Sequence, residues 1–322
     1  MIKNEKILIS GASGEVALPL LNFLSGDNEV WGVARLADPA ARQKIERAGA
    51  RAVALDVVEG DYSALPDDFT YVLHLAWYRG GQGDFDGAVR VNGEATGRVL
   101  YHCRKAKAAL VMSSTAIYAP REDPWDFPKE DAAIGGANVP WALTSGVSKI
   151  AQETTARFCA REFGLPVVIT RLNTVYGNGP RFLPVMNMDA VAQGREVTAR
   201  WDPMPHTPIH TDDICQQLEA MLGAASAPAN IVNWGGDDMI TVQDWCRMAG
   251  EFAGVEAKVV TQPSPNATRT AASDQTKRRS ITGPSKVAFA DAYRQIFDDR
   301  HGSATRMDAA IGRAAVSSRT PS

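Results

Sequence analysis

Short apolar runs alternate with longer stretches of mixed character through the first half of the chain: "KILIS", "EVWGVAR", "RAVALDV", "YVLHLAW", "ALVMSS" and "PVVIT". Continuous apolar runs of this length predict strands buried on both faces, and the segments between them have room for crossover helices. The rhythm is that of repeated βαβ units, so the expected fold class is α/β with a doubly wound parallel sheet. After about residue 175 the rhythm loosens and prolines accumulate in "NGPRFLP" and "WDPMPHTPIH", which predicts a smaller, less regular cap over the carboxyl edge of the sheet. The segment "ANIVNWGG" reads as one more strand returning to the sheet.

The first run leads into "GASGEVA", with Gly11, Gly14 and Ala17 spaced G-x-x-G-x-x-A ahead of the apolar helix start "LPLLNFL". Small residues between a strand and a helix allow a tight turn, a close backbone approach to a pyrophosphate and anion capture at the helix N-terminus. Glycines alone would mark only a turn, but the flanking strand and helix favour a dinucleotide site. Residues 1–175 are therefore expected to form a Rossmann-type nicotinamide-dinucleotide domain, completed by about 206–235, with 176–300 as an interleaved substrate-binding cap. The small, polar segment 301–322 is expected to be a partly disordered or loosely docked tail. The second strand ends in Ala34 and Arg35, not in a carboxylate. A guanidinium suits a ribose 2′-phosphate, so NADP is expected ahead of NAD unless Arg35 is merely a solvated loop charge. Asp56, after the third strand, is placed to accept from an adenine amino group.

Composition adds exclusions. A chain of 322 residues, 45% hydrophobic and 22% charged, can bury a substantial core. A formal net charge of -3 gives no reason to expect nucleic acid or an acidic lipid surface as partner, leaving a small-molecule substrate. No apolar run approaches the roughly 20 residues of a membrane span, and "MIKNEKILIS" leaves no room for a signal peptide. Cys103, Cys159, Cys215 and Cys246 form no metal-ligand pattern and read as reduced thiols of a cytoplasmic protein.

The chain resembles the extended short-chain dehydrogenase/reductase family, the group of NAD(P)-dependent epimerases, dehydratases and carbonyl reductases. The resemblance runs through most of residues 5 to 300, on "GASGEVA", "VLHLAW", "VNGEATGRVL", "VMSSTAIYA", "SGVSKIAQE", "RLNTVYGNGP" and "IHTDDI", in the family's order. It implies cofactor contacts from Gly11, Ser13, Gly14, Glu15, Val16, Arg35, Asp56, Val57, Leu75, Ala76, Trp77 and Lys149. It implies substrate contacts from Thr115, Asn173, Arg181 and His206, with Ser114 binding the substrate oxygen and Lys149 the nicotinamide ribose. Arg181 meets a carboxylate or phosphate, or is a surface charge. A homodimer through the helix "NGEATGRVLYHCRKAKA" is a further implication. His74 reads as a packed core residue, and "TDDI" as a turn in which Asp212 or Asp213 caps a helix.

One position breaks the pattern. In the family a tyrosine four residues before the lysine is the general acid/base, because a phenol beside an ammonium approaches a neutral pKa. Here that position is Ser145, whose hydroxyl is shorter and far less acidic. Another group then supplies the proton, with Tyr78, Tyr176, His206 and His210 as candidates. Alternatively Ser145 only positions water or substrate, or the protein is a cofactor-binding relative with little turnover, or an inactivated variant. The expected chemistry is hydride transfer to or from a carbonyl or alcohol carbon, with epimerisation or dehydration through a transient ketone as the alternative. His206 stands where nucleotide-sugar enzymes of the family usually carry an arginine that grips a diphosphate, and an imidazole is only partly charged at pH 7.

Overall fold

The computed structural model describes residues 2–81, 83–137, 142–264 and 266–302. Strands and helices alternate as β1 (Lys6–Ser10), α1 (Ala17–Ser25), β2 (Glu29–Ala34), α2 (Pro39–Arg47), β3 (Arg51–Ala54), β4 (Tyr71–His74), α3 (Phe85–His102), β5 (Ala108–Ser114), α4 (Ser145–Phe163) and β6 (Val167–Leu172). Shorter elements follow: β7 (Val175–Tyr176), α5 (Leu183–Ala192), β8 (Val197–Ala199), β9 (Pro205–His206), β10 (Ile209–His210) and α6 (Thr211–Gly223). The chain continues through β11 (Asn230–Trp234), β12 (Ile240–Thr241), α7 (Val242–Ala253), β13 (Val259–Thr261) and α8 (Thr276–Thr282). A last helix, α9, spans 289 to 302.

Seven strands form one sheet in the order β3-β2-β1-β4-β5-β6-β11, and each neighbouring pair is parallel. This is a Rossmann-type doubly wound sheet. The winding direction reverses between β1 and β4, so their carboxyl ends open a crevice where ligands of such sheets bind.

The two-residue period of each strand divides its side chains between two cores. Ile7, Ile9, Leu73, Leu110, Met112 and Val168 point to one face, where Leu20 and Leu21 of α1 and Leu218 of α6 cover them. Leu8, Val72, Ala109, Val111, Val167 and Ile169 point to the other, beneath Val99 and Leu100 of α3 and Ala156 and Ala160 of α4. Each large side chain buried in this way stabilises the fold by about 1.5–3 kcal/mol. The continuous apolar runs thus reflect helices on both faces. Cys103, Cys159, Cys215 and Cys246 are free and buried, and burial pushes the Cys103, Cys215 and Cys246 thiols up to about 12.

The remainder is built from two-stranded pairs, β7 with β10, β8 with β13 and β9 with β12, and from α5 packed on α7. Tyr176, Trp234, Trp245, Phe289 and Tyr293 belong to the same core as the α1/α6 face of the sheet. Helix α6 is capped differently from the expectation: His210 Nδ1 accepts the Asp212 N–H at 3.1 Å, while the Asp213 carboxylate accepts the N–H groups of Lys286 and Val287. Of the expected tail, His301 and Gly302 continue α9, and His301 Nε2 lies 2.9 Å from Asp189 Oδ1. Residues 303–322 lie outside the described residues. No described helix is long and apolar enough to cross a membrane.

Candidate active site

A cleft of about 690 Å³ opens at the reversal point, lined by the loop after β1, the ends of β4, β5 and β6, Lys149 of α4, and residues 181–183, Arg200 and His206 from the chain beyond β7. The loop after β1 turns at Gly11, whose φ of +72° lies in the left-handed region. A Cβ at Gly11 would sit 2.7 Å from the Ala76 nitrogen and 2.9 Å from the Leu75 carbonyl carbon, so the loop packs directly on the backbone after β4. The Gly14 N–H donates to the Gly11 carbonyl at 2.9 Å, and α1 then starts with no side chain capping it. An uncapped helix start behind a glycine turn suits an anionic ligand.

Beneath this loop, a buried relay joins β1 to β4. The Thr96 hydroxyl donates to the Asn92 carbonyl at 2.7 Å, so its oxygen accepts from His74 Nε2 at 2.9 Å. His74 Nδ1 then accepts from the Ser10 hydroxyl at 2.7 Å. Burial, with the nearby Lys149 charge, pushes His74 down to about 3, so the imidazole is neutral. The packing of Gly11 leads to a prediction: Gly11→Ala should lower the urea-unfolding free energy by about 2–4 kcal/mol, from left-handed strain and overpacking. A loss below about 1 kcal/mol would mean that the β4 end yields freely.

The opposite wall carries Ser113, Ser114 and Thr115 at the end of β5. Ser114 Oγ accepts the Ala116 N–H at 3.2 Å, which leaves the hydroxyl proton to donate. Lys149 is 4% exposed, and its Nζ donates to the Met112 carbonyl at 2.7 Å and to Gln152 Oε1 at 2.8 Å. Burial pushes this ammonium down to about 7, against the opposing effect of Glu153. The Trp77 ring lies 5.4 Å from Lys149 Nζ and 5.1 Å from the Arg79 guanidinium. Trp77 Nε1, Ser113 Oγ and His206 Nε2 are buried in the wall without a hydrogen-bond partner. Orphaned polar atoms of this kind cost about 1–3 kcal/mol each, which a polar ligand would offset, so the residues present fit a dinucleotide and a polar substrate.

The cleft brings together Gly11, Ser13, Gly14, Glu15, Val16, Leu75, Trp77, Ser114, Thr115, Lys149, Arg181 and His206. Ser145 opens α4 one turn before Lys149, is 3% exposed, and is not part of the cleft wall. Several sequence expectations change. Tyr176 lies outside the cleft wall, buried in the core against His210 and Phe289, and burial raises its phenol pKa. Tyr78 lies outside the wall, and its hydroxyl donates to Asp84 Oδ2 at 3.2 Å. Asn173 lies outside the cleft wall, and its side chain accepts from the Thr174 and Thr207 N–H groups and donates to the Ala271 carbonyl. Arg181 meets an internal carboxylate: its Nε donates to Glu15 Oε1 at 2.9 Å.

His206 is not partly charged. Burial first, then the Arg200 charge, push it down to about 3, and its Nδ1 lies 2.6 Å from Thr174 Oγ1. The cationic side chain that sequence reasoning missed is Arg200, which lines the cleft near His206. Nothing in the proline-rich segment around it signals that placement. At the end of β2, Arg35 is exposed, and its charge helps hold Asp56 low. Asp56 Oδ1 accepts the N–H groups of Val58 and Glu59, so one of its oxygens is committed to the turn. Val57 lends its carbonyl to the Tyr62 hydroxyl, and the Ala76 N–H lies 3.4 Å from Ser10 Oγ. No group of three or more metal-ligating side chains occurs among the described residues.

A model of the family described as NAD dependent epimerase/dehydratase matches residues 7–233. No curated protein matches the chain. Among solved structures, UDP-glucuronic acid 4-epimerase from Bacillus cereus, in complex with UDP-glucuronic acid and NAD, superposes with a TM-score of 0.77 at 22% identity, covering 91% of this chain and 98% of that one. UDP-N-acetylglucosamine 4-epimerase from Methanobrevibacter ruminantium, in complex with UDP-N-acetylmuramic acid, gives 0.75 at 18% identity over 92% and 97% of the two chains. UDP-glucose 4-epimerase from Thermotoga maritima, with UDP-glucose, gives 0.75 at 19% identity over 92% and 99%. At these identities the likeness is one of fold.

Proposed function

Because the chain belongs to the NAD-dependent epimerase/dehydratase family, we propose that it transfers a hydride between a nicotinamide dinucleotide and an oxygen-bearing carbon of a small polar substrate. The observation that carries this reading is the single cleft that joins the glycine turn, Ser114 and Lys149 and holds the orphaned Trp77 Nε1, Ser113 Oγ and His206 Nε2. When bound, the nicotinamide supplies or accepts the hydride. Backbone from Gly11 to Val16 would hold the pyrophosphate, Lys149 would bind at the nicotinamide ribose, and the Ser114 hydroxyl would donate to the reacting oxygen. Arg79 and Arg200 give the substrate side a positive lining that suits an anionic substrate.

The preferred cofactor is NADP. Asp38, the first acidic residue after β2, is spent accepting the Ala40 N–H at the start of α2, and Arg35 points into solvent beside Asp56. Arg35→Ala should raise the Kd for NADPH about 10-fold or more, the loss of a charge-assisted contact, while NADH binding changes less than about twofold. Fluorescence titration checks this, and equal losses for both cofactors would overturn the assignment.

Epimerisation or dehydration through a transient ketone is favoured over net oxidoreduction by the family model, and the UDP-sugar epimerases of like fold make UDP-sugars the first substrates to try. Any diphosphate would meet Arg200 in place of a cation at position 206. After NADPH and NADH titration, the test is to add UDP-glucose, UDP-glucuronic acid and a panel of ketones while following nicotinamide absorbance and product. Product without net absorbance change identifies an epimerase, and stoichiometric change a reductase. A protein that binds neither dinucleotide refutes the reading, and cofactor binding without turnover favours a sensing role that Ser145 would explain. Self-association is assigned to the α3/α4 face, where Tyr101, Val147 and Phe158 are exposed, and the free thiols suit the cytoplasm.

A further inference from the structure

The cleft contains a group that can carry a proton without a phenol. An ammonium has three N–H donors, and Lys149 commits two of them to neutral acceptors, the Met112 carbonyl and Gln152 Oε1. Met112 lies two residues before Ser114 on β5, so the same strand that holds Lys149 Nζ also brings Ser114 to the cleft wall. Among the described residues lining the cleft, the other titratable side chains are poorly suited. Glu15 is bound by Arg181, and His206, whose Nδ1 lies against Thr174, is brought down to about 3 by burial.

We propose that Lys149 is itself the general acid/base of this cleft, donating directly to the oxygen that Ser114 polarises. The proposal rests on the hydride-transfer reading above. In the reducing direction, a hydride from the reduced nicotinamide dinucleotide adds to the carbonyl carbon and the C=O π pair moves onto oxygen. One Lys149 N–H bond breaks as the new O–H bond forms, leaving a neutral amine that takes its next proton from water. In the oxidising direction the amine removes the hydroxyl proton as the hydride leaves.

The surroundings of Lys149 favour release of the proton. Burial, working against the Glu153 charge, brings the ammonium down to about 7. On its own helix Glu153 opposes this, but that carboxylate is engaged at 2.9 Å by both Nε and Nη2 of Arg171 from β6. From β4, His74 is held neutral between Ser10 and Thr96. β5 contributes only a carbonyl, and the loop after β4 contributes the Trp77 face with Arg79 beyond it.

The test uses the full chain labelled with [ε-13C]lysine and titrated by NMR from pH 5 to 11, with Lys149→Arg assigning the signal. The expected result is one lysine with a midpoint within about one unit of 7, while solvent-exposed lysines titrate near 10.4. A midpoint above 9 would overturn the proposal, since that ammonium would not release its proton. In parallel, NADPH is titrated into wild type and Lys149→Arg, and reduction of glyceraldehyde, methylglyoxal and benzaldehyde is followed. Lys149→Arg keeps the charge and should bind NADPH within a few-fold, yet lose about 100-fold or more in kcat, the usual span of a lost general acid. Retained turnover in Lys149→Arg would also overturn it. If wild type binds neither NADPH nor NADH, the hydride-transfer reading fails, and the NMR midpoint still reports separately on the lysine.

Discussion

The unfolding free energy should drop by about 4 kcal/mol between pH 7 and pH 5, a large share of the 5–15 kcal/mol that stabilises a domain. The cause is the pair of buried neutral histidines, His74 and His206, each brought from 6.5 to about 3 chiefly by burial. Between those two values the unfolded chain binds protons at both sites and the folded chain does not, so stability rises with pH. It is complete above 6.5 and is lost as pH falls toward 3. Each site contributes a limiting slope of about 1.4 kcal/mol per pH unit, or about 2.7 for both. Urea titrations at pH 7 and pH 5 measure the loss, and His74→Asn and His206→Gln should each remove about half of it. A flat profile in the wild type would mean that both imidazoles take up protons in the native fold.

Glu153→Ala should cost about 3–5 kcal/mol, the usual consequence of leaving a buried charge without its partner. The Arg171 and Glu153 side chains are only 1% and 4% exposed. The guanidinium also donates to the Glu130 carbonyl at 2.9 Å and stacks 4.9 Å from the Tyr118 ring. Removing the carboxylate leaves this cation inside the protein, between α4 and β6. Replacing both partners by apolar residues, Glu153→Leu with Arg171→Met, should recover more than half of the loss, because neither charge then remains to be desolvated. Denaturant unfolding of the two single variants and the double variant checks this. A double variant as unstable as the sum of the singles would show that the two charges act independently.

What could be read in the sequence was local. The apolar runs reported the parallel sheet because helices cover both of its faces, and the glycine turn was visible because its geometry is set within a few residues. The interval from Ser145 to Lys149 is likewise one turn of one helix. What escaped depends on segments far apart in the chain. Arg181 looked like a substrate ligand, yet its partner Glu15 lies 166 residues away. Asn173 looked the same, but its amide is spent on the Ala271 carbonyl, 98 residues on. Tyr176 sits beside the site in sequence, but the pairing of β7 with β10 directs its ring toward Phe289. Trp125 and Phe127, in the long loop between β5 and α4, pair edge-on at 6.4 Å, and neither lines the cleft.

The core that Tyr176, Trp234, Trp245 and Phe289 share with the α1/α6 face of the sheet bears on how such a protein can change. A substrate cap resting on a separate core could be exchanged as a module, carrying its specificity with it. Here a transplanted cap would have to reproduce the packing beneath α1 and α6 as well as the wall of the cleft. New specificity is therefore confined to substitutions in the cleft wall, at positions such as Arg79 and Arg200, which line the cleft without belonging to the core of the sheet.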